Sequence, residues 1–201
     1  MICSILISLF VSSYIYDFSD LYKFAWLKNI KQTGNGKIMN INAGFDETSD
    51  LLRSRFQHAQ FILADFYDAE KHTEVSIKRA RKAYPADPAT LPVNTKHLPV
   101  EDNAVDKVFC MLSAHEIRND EERVYFFKEL RRVLAASGQI IVTEHLRDAA
   151  NFLAYNIGFF HFHSRATWLK TFRLSGLMIE KEIKITPFIT TFVLEKNGTA
   201  S

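Results

Sequence analysis

The chain has 201 residues, 47% of them hydrophobic, enough for one domain with a sizeable core. Its net charge of +2 lacks the basic excess of a dedicated nucleic-acid binder. Two cysteines, Cys3 and Cys110, exclude a disulfide framework and fit a reducing, cytoplasmic setting.

Residues 1–16, MICSILISLFVSSYIY, are mostly apolar, and no Lys or Arg precedes Lys23. A signal peptide needs a basic start, and the apolar run breaks at Asp17, short of a membrane span. The leading expectation is a helix packed on the domain, within an N-terminal helical cap over residues 1–36. A membrane-surface helix, peripheral to a bilayer, and a cleaved or spanning segment stay open. Ser19 is placed to cap a second helix carrying Leu21, Phe24, Ala25 and Leu27.

Gln32–Lys37 has turn composition, and Lys37–Asn42 reads as the first sheet strand. Ala43-Gly44-Phe45-Asp46-Glu47-Thr48 follows, with Thr48 or Asp46 able to cap a helix holding Leu51, Leu52 and Phe56. A strand, a glycine loop and a helix start bring free N–H groups close to a ligand's polar end. Phe61–Ala64 is the second strand and ends at Asp65. An acid about 20 residues past the loop glycine is placed to accept the ribose hydroxyls of an adenosine cofactor, with Asp68 as the fallback. His72–Tyr84 reads as a helix with Val75, Ile77, Ala80 and Tyr84 partly inward. Its basic run Lys78, Arg79, Arg81 and Lys82 is expected to be a solvated face, an anionic substrate or a membrane contact being the sharper alternative. Pro85, Pro88 and Pro92 make Tyr84–Val93 an inserted loop.

Val108–Leu112 is a buried strand without polar alternation. Ser113–Arg118 follows it, and in a doubly wound sheet such a loop faces the ligand. His115, with a pKa near neutrality, is the candidate general base, and Glu116 stands beside it. A helix begins at Asn119 with Glu122 in capping-box spacing, and Val124, Phe127, Leu130 and Leu134 form its apolar stripe up to Gly138. Gln139–Thr143 is the next strand. The aromatic-rich Asn151–Ser164 is expected either to cover a pocket for an apolar substrate or to pack in the core. His161 and His163 have no further close pairing beyond His145 and Glu144, so no metal site is expected. Thr167–Phe172 reads as a helix ended by Gly176, and Met178–Ile185 and Pro187–Lys196 read as closing strands.

The stretch Leu98–Ile117, with Glu129–His145 after it, resembles the second half of a class I S-adenosylmethionine-dependent methyltransferase domain, of the type 11 kind. Leu98-Pro99-Val100-Glu101-Asp102 matches the family's segment before the fourth strand, and Arg132–Gly138 its helix end. The resemblance implies an α/β fold: a Rossmann-like, doubly wound, seven-stranded, mostly parallel sheet with helices on both faces, spanning residues 37–201 behind the cap. It implies S-adenosylmethionine as cofactor and S-adenosylhomocysteine as product. The family's acid and Gly-x-Gly-x-Gly align with Asn40, Asn42, Gly44 and Asp46, of which only Gly44 is kept. The cofactor-binding set is then Asn40, Asn42, Ala43, Gly44, Asp65, Phe66, Asn94, Thr95 and Ser113, with Tyr16 (and Tyr22) from a segment that covers the cofactor. His115 and Glu116 are the catalytic candidates. Asn94, where the family carries an acid, is expected to accept from the adenine amino group.

The expected activity is methyl transfer to a small or lipid-like substrate, with no nucleic acid and with peripheral membrane contact through residues 1–16 as an open partner. The alternative is a degenerate, non-catalytic member that serves as a binding module, which Asn42 and Asp46 would favour. An NAD-type or nucleotide-sugar Rossmann enzyme is allowed by the weak glycine loop and opposed by Leu98–His145.

Overall fold

The computed structural model describes residues 2–31, 35–71 and 75–198. The turn expected at Gln32–Lys37 and the start of the helix expected from His72 lie partly outside these residues.

The strands are β1 (Lys37–Asn42), β2 (Gln60–Asp65), β3 (Leu91–Pro92), β4 (Val105–Met111), β5 (Leu134–His145), β6 (Leu177–Thr186) and β7 (Ile189–Lys196). They form one seven-stranded sheet in the order β3-β2-β1-β4-β5-β7-β6. Strands β1 to β5 pair in parallel, and β7 runs antiparallel between β5 and β6. The helices are α1 (Ile2–Ser13), α2 (Ser49–Arg55), α3 (Val75–Ala83), α4 (Asp120–Val133), α5 (Ala149–Tyr155) and α6 (Arg165–Leu174). None of them is long and apolar enough to cross a membrane.

Side-chain alternation explains why both faces are covered. Met39, Ile41, Val108 and Cys110 point to one face, where Phe126, Phe127 and Leu130 of α4 and Trp168 and Phe172 of α6 bury them. Ile38, Phe109, Met111 and Ile141 point to the other, against Ile15, Leu21, Phe24, Trp26 and Leu27 from the segment before β1. The central strands are therefore buried along most of their length, whereas edge strand β6 mixes buried and exposed positions.

Three expectations change. No α-helix follows Ser19: Phe24 takes a left-handed φ of 54° and a short 3-10 turn, Ala25–Asn29, replaces it. Leu21, Phe24 and Leu27 are still buried, because that turn lies on the sheet, while Ala25 faces outward. Helix α4 stops at Val133, not at Gly138, and β5 starts at Leu134. Pairing of Val105 with Leu134 across a bulge draws the chain into the sheet early. Gly138 is needed for close approach: a Cβ there would lie 2.9 Å from the Asp106 carbonyl oxygen. The buried stripe of α4 is Arg123, Phe126, Phe127, Leu130 and Val133, shifted from the expected one. Arg123 is accommodated by bonds to the Ile117 carbonyl (2.9 Å), Thr171 (3.2 Å) and Asp120.

The capping logic holds. Asn119 Oδ1 accepts the Glu122 N–H at 2.9 Å. Asp46, rather than Thr48, caps α2, its Oδ1 accepting the N–H groups of Thr48 (3.0 Å) and Ser49 (2.9 Å).

Candidate functional site

Strand order reverses between β1 and β4, so their carboxyl ends open a crevice at the topological switch point. Three cavities meet there. The largest, about 600 Å³, is lined by Phe66, Tyr67, Val93, Asn94, Thr95 and Glu116 among others. One of about 350 Å³ touches Asn42, Gly44 and Asp65. A narrow one of about 90 Å³ lies between Asn42, Ala43, Ser113 and Glu116, with Tyr22 and Glu47 at its rim.

The loop after β1 works without two of the expected glycines. Gly44 takes a φ of 102°. The Asn42 side-chain carbonyl accepts the Gly44 N–H at 3.2 Å, an Asx turn that shapes the loop. Its Nδ2 is buried and has no hydrogen-bond partner among the described residues. A buried donor without an acceptor is costly, so this atom is primed for a ligand oxygen. Asn40 does not reach the cavities. It lies beneath them and donates to Thr48 Oγ1 (3.0 Å), Ser49 Oγ (2.8 Å) and Asp46 (3.3 Å), tying β1 to the start of α2. Those bonds turn the Asp46 carboxylate toward the helix.

Asp65 ends β2 with one oxygen on the Tyr67 N–H (2.8 Å) and the other on Arg81 of α3 (2.6 Å). The Arg81 guanidinium also bonds the Gly44 carbonyl at 3.1 Å and lies 4.2 Å from the Tyr67 ring centre. The hollow left by the missing Gly44 side chain is filled by Tyr67 and Ile77, 2.7 and 3.1 Å from where a Cβ would stand. Arg81 thus departs from the solvated face expected of its run, while Lys78, Arg79 and Lys82 are exposed. Sequence spacing gave no sign of this, because four cations in five residues look alike until the helix is docked.

At the end of β4, Leu112 takes a left-handed φ of 50°, a strained value for a branched residue, and throws the chain into the 3-10 turn Ala114–Glu116. Ser113 Oγ donates to the Ile41 carbonyl at 3.2 Å, locking the ends of β1 and β4 together. Glu144, fully buried on β5, receives both the His115 N–H (3.2 Å) and its ring Nδ1–H (2.6 Å). His115 Nε2 lies 3.3 Å from Glu116, whose same oxygen is 3.2 Å from His161 Nε2. Burial opposes charge on His115, but the two carboxylates outweigh it and raise its pKa to about 10. Burial likewise opposes charge on Glu116, yet His115 and His161 hold its carboxyl well below the usual range.

Asn94 does not present a free carbonyl: its Oδ1 accepts the N–H groups of Lys96 (2.9 Å) and His97 (2.8 Å). Beside it in this wall stands the acid Glu122, which accepts from Thr95 Oγ1 at 2.6 Å. Its capping-box spacing hid that use: its N–H serves the cap, while its carboxylate turns to Thr95 and Lys71. Tyr16 contacts His145 Nε2 at 3.2 Å and stacks on Tyr22, which donates to Glu47. Tyr22 reaches the narrow cavity; Tyr16 stands behind it. His163 Nε2 lies 3.1 Å from Arg123, whereas His161 is the last residue of the 3-10 turn Asn156–His161.

A profile of the family described as a methyltransferase domain matches residues 41–142. No curated protein matches the chain in sequence. Among solved structures, an S-adenosylmethionine-dependent methyltransferase from Aquifex aeolicus superposes with a TM-score of 0.62 at 14% identity, covering 90% of this chain and 95% of that one. A chain of the Haloferax volcanii complex between the Trm112 methyltransferase activator and a methyltransferase gives 0.66 at 13%, covering 97% of each. Geranyl diphosphate C-methyltransferase from Streptomyces coelicolor, solved with magnesium, geranyl diphosphate and S-adenosylhomocysteine, gives 0.60 at 12%, covering 87% and 78%. At such identities these likenesses speak for the fold.

Proposed function

The chain belongs to the methyltransferase domain family, and from that premise we propose that it transfers a methyl group from S-adenosylmethionine to a small or lipid-like substrate, with S-adenosylhomocysteine as product. The observation that carries this reading is the grouping of Asn42, Asp65 and Glu116 around cavities at the carboxyl ends of β1, β2 and β4.

The residues present suit that cofactor. Asn42 Nδ2 is a buried donor for a carboxylate oxygen. Asp65 offers oxygens to a pair of ribose hydroxyls once Arg81 yields. Phe66, Val93 and Ile117 give the large cavity apolar walls for a flat base. Glu47 and Glu116 beside the narrow cavity favour a cationic group. When bound, S-adenosylmethionine supplies a sulfonium whose methyl is open to in-line displacement by a nucleophilic substrate atom.

The chain's part is alignment and exclusion of water. Both ring nitrogens of His115 already face carboxylates, so it acts as a positioning residue. Gripped by Glu144, it sets Glu116 at the junction of two cavities. The apolar nature of the substrate is supported by a bare surface nearby. Helix α1 exposes Leu6, Leu9 and Phe10, and α5 with its following turn exposes Leu153, Ile157 and Phe160. The two helices touch through a Ser8 to Ala154 hydrogen bond of 2.9 Å. Arg118, which lines the large cavity, reaches the Phe160 carbonyl. In this reading the same surface meets a lipid bilayer peripherally.

Calorimetry and thermal shift with S-adenosylmethionine and S-adenosylhomocysteine test the proposal. Saturable binding of both is expected; no response at millimolar ligand refutes it. Co-sedimentation with phosphatidylcholine vesicles, lost in a Phe10→Ser, Leu153→Ser double variant, tests the lipid-like part.

A further inference from the structure

We propose that His115, Glu116 and His161 form a binding site for a divalent transition-metal ion, with Glu144 as the outer carboxylate that orients His115. The inference goes beyond methyl transfer and does not require it.

The donor atoms already converge. One ligand atom from each residue lies within 4.8 Å of the other two. Glu116 Oε1 is 3.3 Å from His115 Nε2 and 3.2 Å from His161 Nε2. Bonds of about 2.0–2.1 Å to nitrogen and oxygen in a tetrahedral shell put neighbouring ligand atoms roughly 3.3–3.4 Å apart. Two of the three edges therefore have the required length, and a small inward movement of His161 closes the third. His161 lies on the surface turn Asn156–His161, so that movement disturbs no core element.

The support behind the ligands is what a metal-binding imidazole needs. Glu144 is fully buried, and its oxygens hold His115 by the main-chain N–H and by ring Nδ1–H at 2.6 Å. That bond keeps the proton on Nδ1, so an entering ion displaces only the Nε2 proton and meets the nitrogen directed at Glu116. Arg118 bonds the main-chain carbonyls of both His115 (3.2 Å) and His161, joining the loop after β4 to the turn after α5.

The chemistry of the set selects the ion. Two imidazoles and one carboxylate suit zinc, iron(II) or manganese; magnesium and calcium prefer oxygen alone. Three protein ligands leave coordination positions for water or a substrate oxygen. Since Glu116 lines both the large and the narrow cavity, an ion it holds is accessible to whatever enters either.

The test uses the full chain after chelator treatment and dialysis. Zinc chloride is titrated by calorimetry, and cobalt(II) by visible absorption, with no cofactor added. The expected result is one ion per chain at micromolar affinity or tighter, with cobalt bands of a low-coordinate nitrogen–oxygen site. His161→Ala and Glu116→Gln should each weaken binding at least tenfold, and Glu144→Gln about tenfold, as outer partners do. Circular dichroism and melting curves check that the metal-free variants fold; His161→Ala, altered only on the surface turn, serves if Glu116→Gln does not. No heat and no cobalt bands with the wild-type chain overturn the proposal and leave a hydrogen-bonded histidine–carboxylate chain. Binding undiminished in His161→Ala also overturns it, placing the ion elsewhere, for instance on exposed His58 or His97. An S-adenosylhomocysteine thermal shift measured on the same samples keeps failure of this site distinct from failure of the cofactor reading.

Discussion

Asp65 and Arg81 should have opposite effects on cofactor affinity. If Asp65 receives the ribose hydroxyls, Arg81 competes for the same oxygen, to which it now bonds at 2.6 Å. The Arg81 side chain is 35% exposed and that of Asp65 10%, so water screens the pair and its strength is that of a partly solvated ion pair, about 1 kcal/mol. Removing the competitor should return that energy to the ligand, a gain of about fivefold in affinity. Arg81→Ala also frees Tyr67, over which the guanidinium lies, to leave the hollow at Gly44. Asp65→Ala removes the acceptor itself and should weaken S-adenosylhomocysteine by more than about tenfold, the cost of a charge-assisted hydrogen bond. In the Asp65→Ala background, Arg81→Ala should have little effect, since the competition is gone. Calorimetric titration of the three variants and the wild type, with melting curves to confirm folding, completes the cycle. Should Arg81→Ala weaken binding as strongly as Asp65→Ala, Arg81 is itself a ligand contact and the competition argument is wrong.

Stability should fall in acid through His145. Its ring is buried among Tyr16, Tyr155, Asn151 and Phe162, near the charged His115, and burial holds its pKa down at about 4. The unfolded chain takes the proton at about 6.5, so the stabilisation is complete above that pH and is lost as pH falls toward 4, up to about 3 kcal/mol. Urea unfolding across this window should show a slope that His145→Gln reduces; parallel curves refute it. Arg123→Met should destabilise by about 3 kcal/mol, because the Ile117 carbonyl and Thr171 lose their buried partner. Chemical denaturation measures this, and a neutral effect would show that the helix repacks. Gly138→Ala should cost about 2 kcal/mol or more, its methyl meeting Leu134 at 2.8 Å and the Asp106 carbonyl at 2.9 Å. An unchanged melting temperature would mean that the β4–β5 bulge is plastic.

Much of the fold was legible because its signals are local. The apolar runs of β1, β2 and β4 and the cap at Asn119 act within a few residues. The Asx turn at Asn42 is the same kind of signal: asparagine replaces glycine by bonding its own loop. The places where reading failed are those where a partner distant in sequence decides. Leu134 leaves its helix because Val105 pairs with it. Phe24 breaks the expected helix in order to lay Trp26 and Leu27 on the sheet.

The sequence by itself determined a doubly wound sheet and the residues that ring its crevice: Asn42, Gly44, Asp65, Ser113 and Glu116. Tertiary structure alone decided what those residues face. Parallel pairing of Met111 with Thr143 aligns the ends of β4 and β5, so Glu144 of β5 meets His115 in the turn after β4. The docking of α3 and of the turn after α5 brings Arg81 to Asp65 and His161 to Glu116. Periodicity and caps record which way a side chain points from its own backbone. Which charge it meets there depends on strand register and helix docking, and these are properties of the whole sheet.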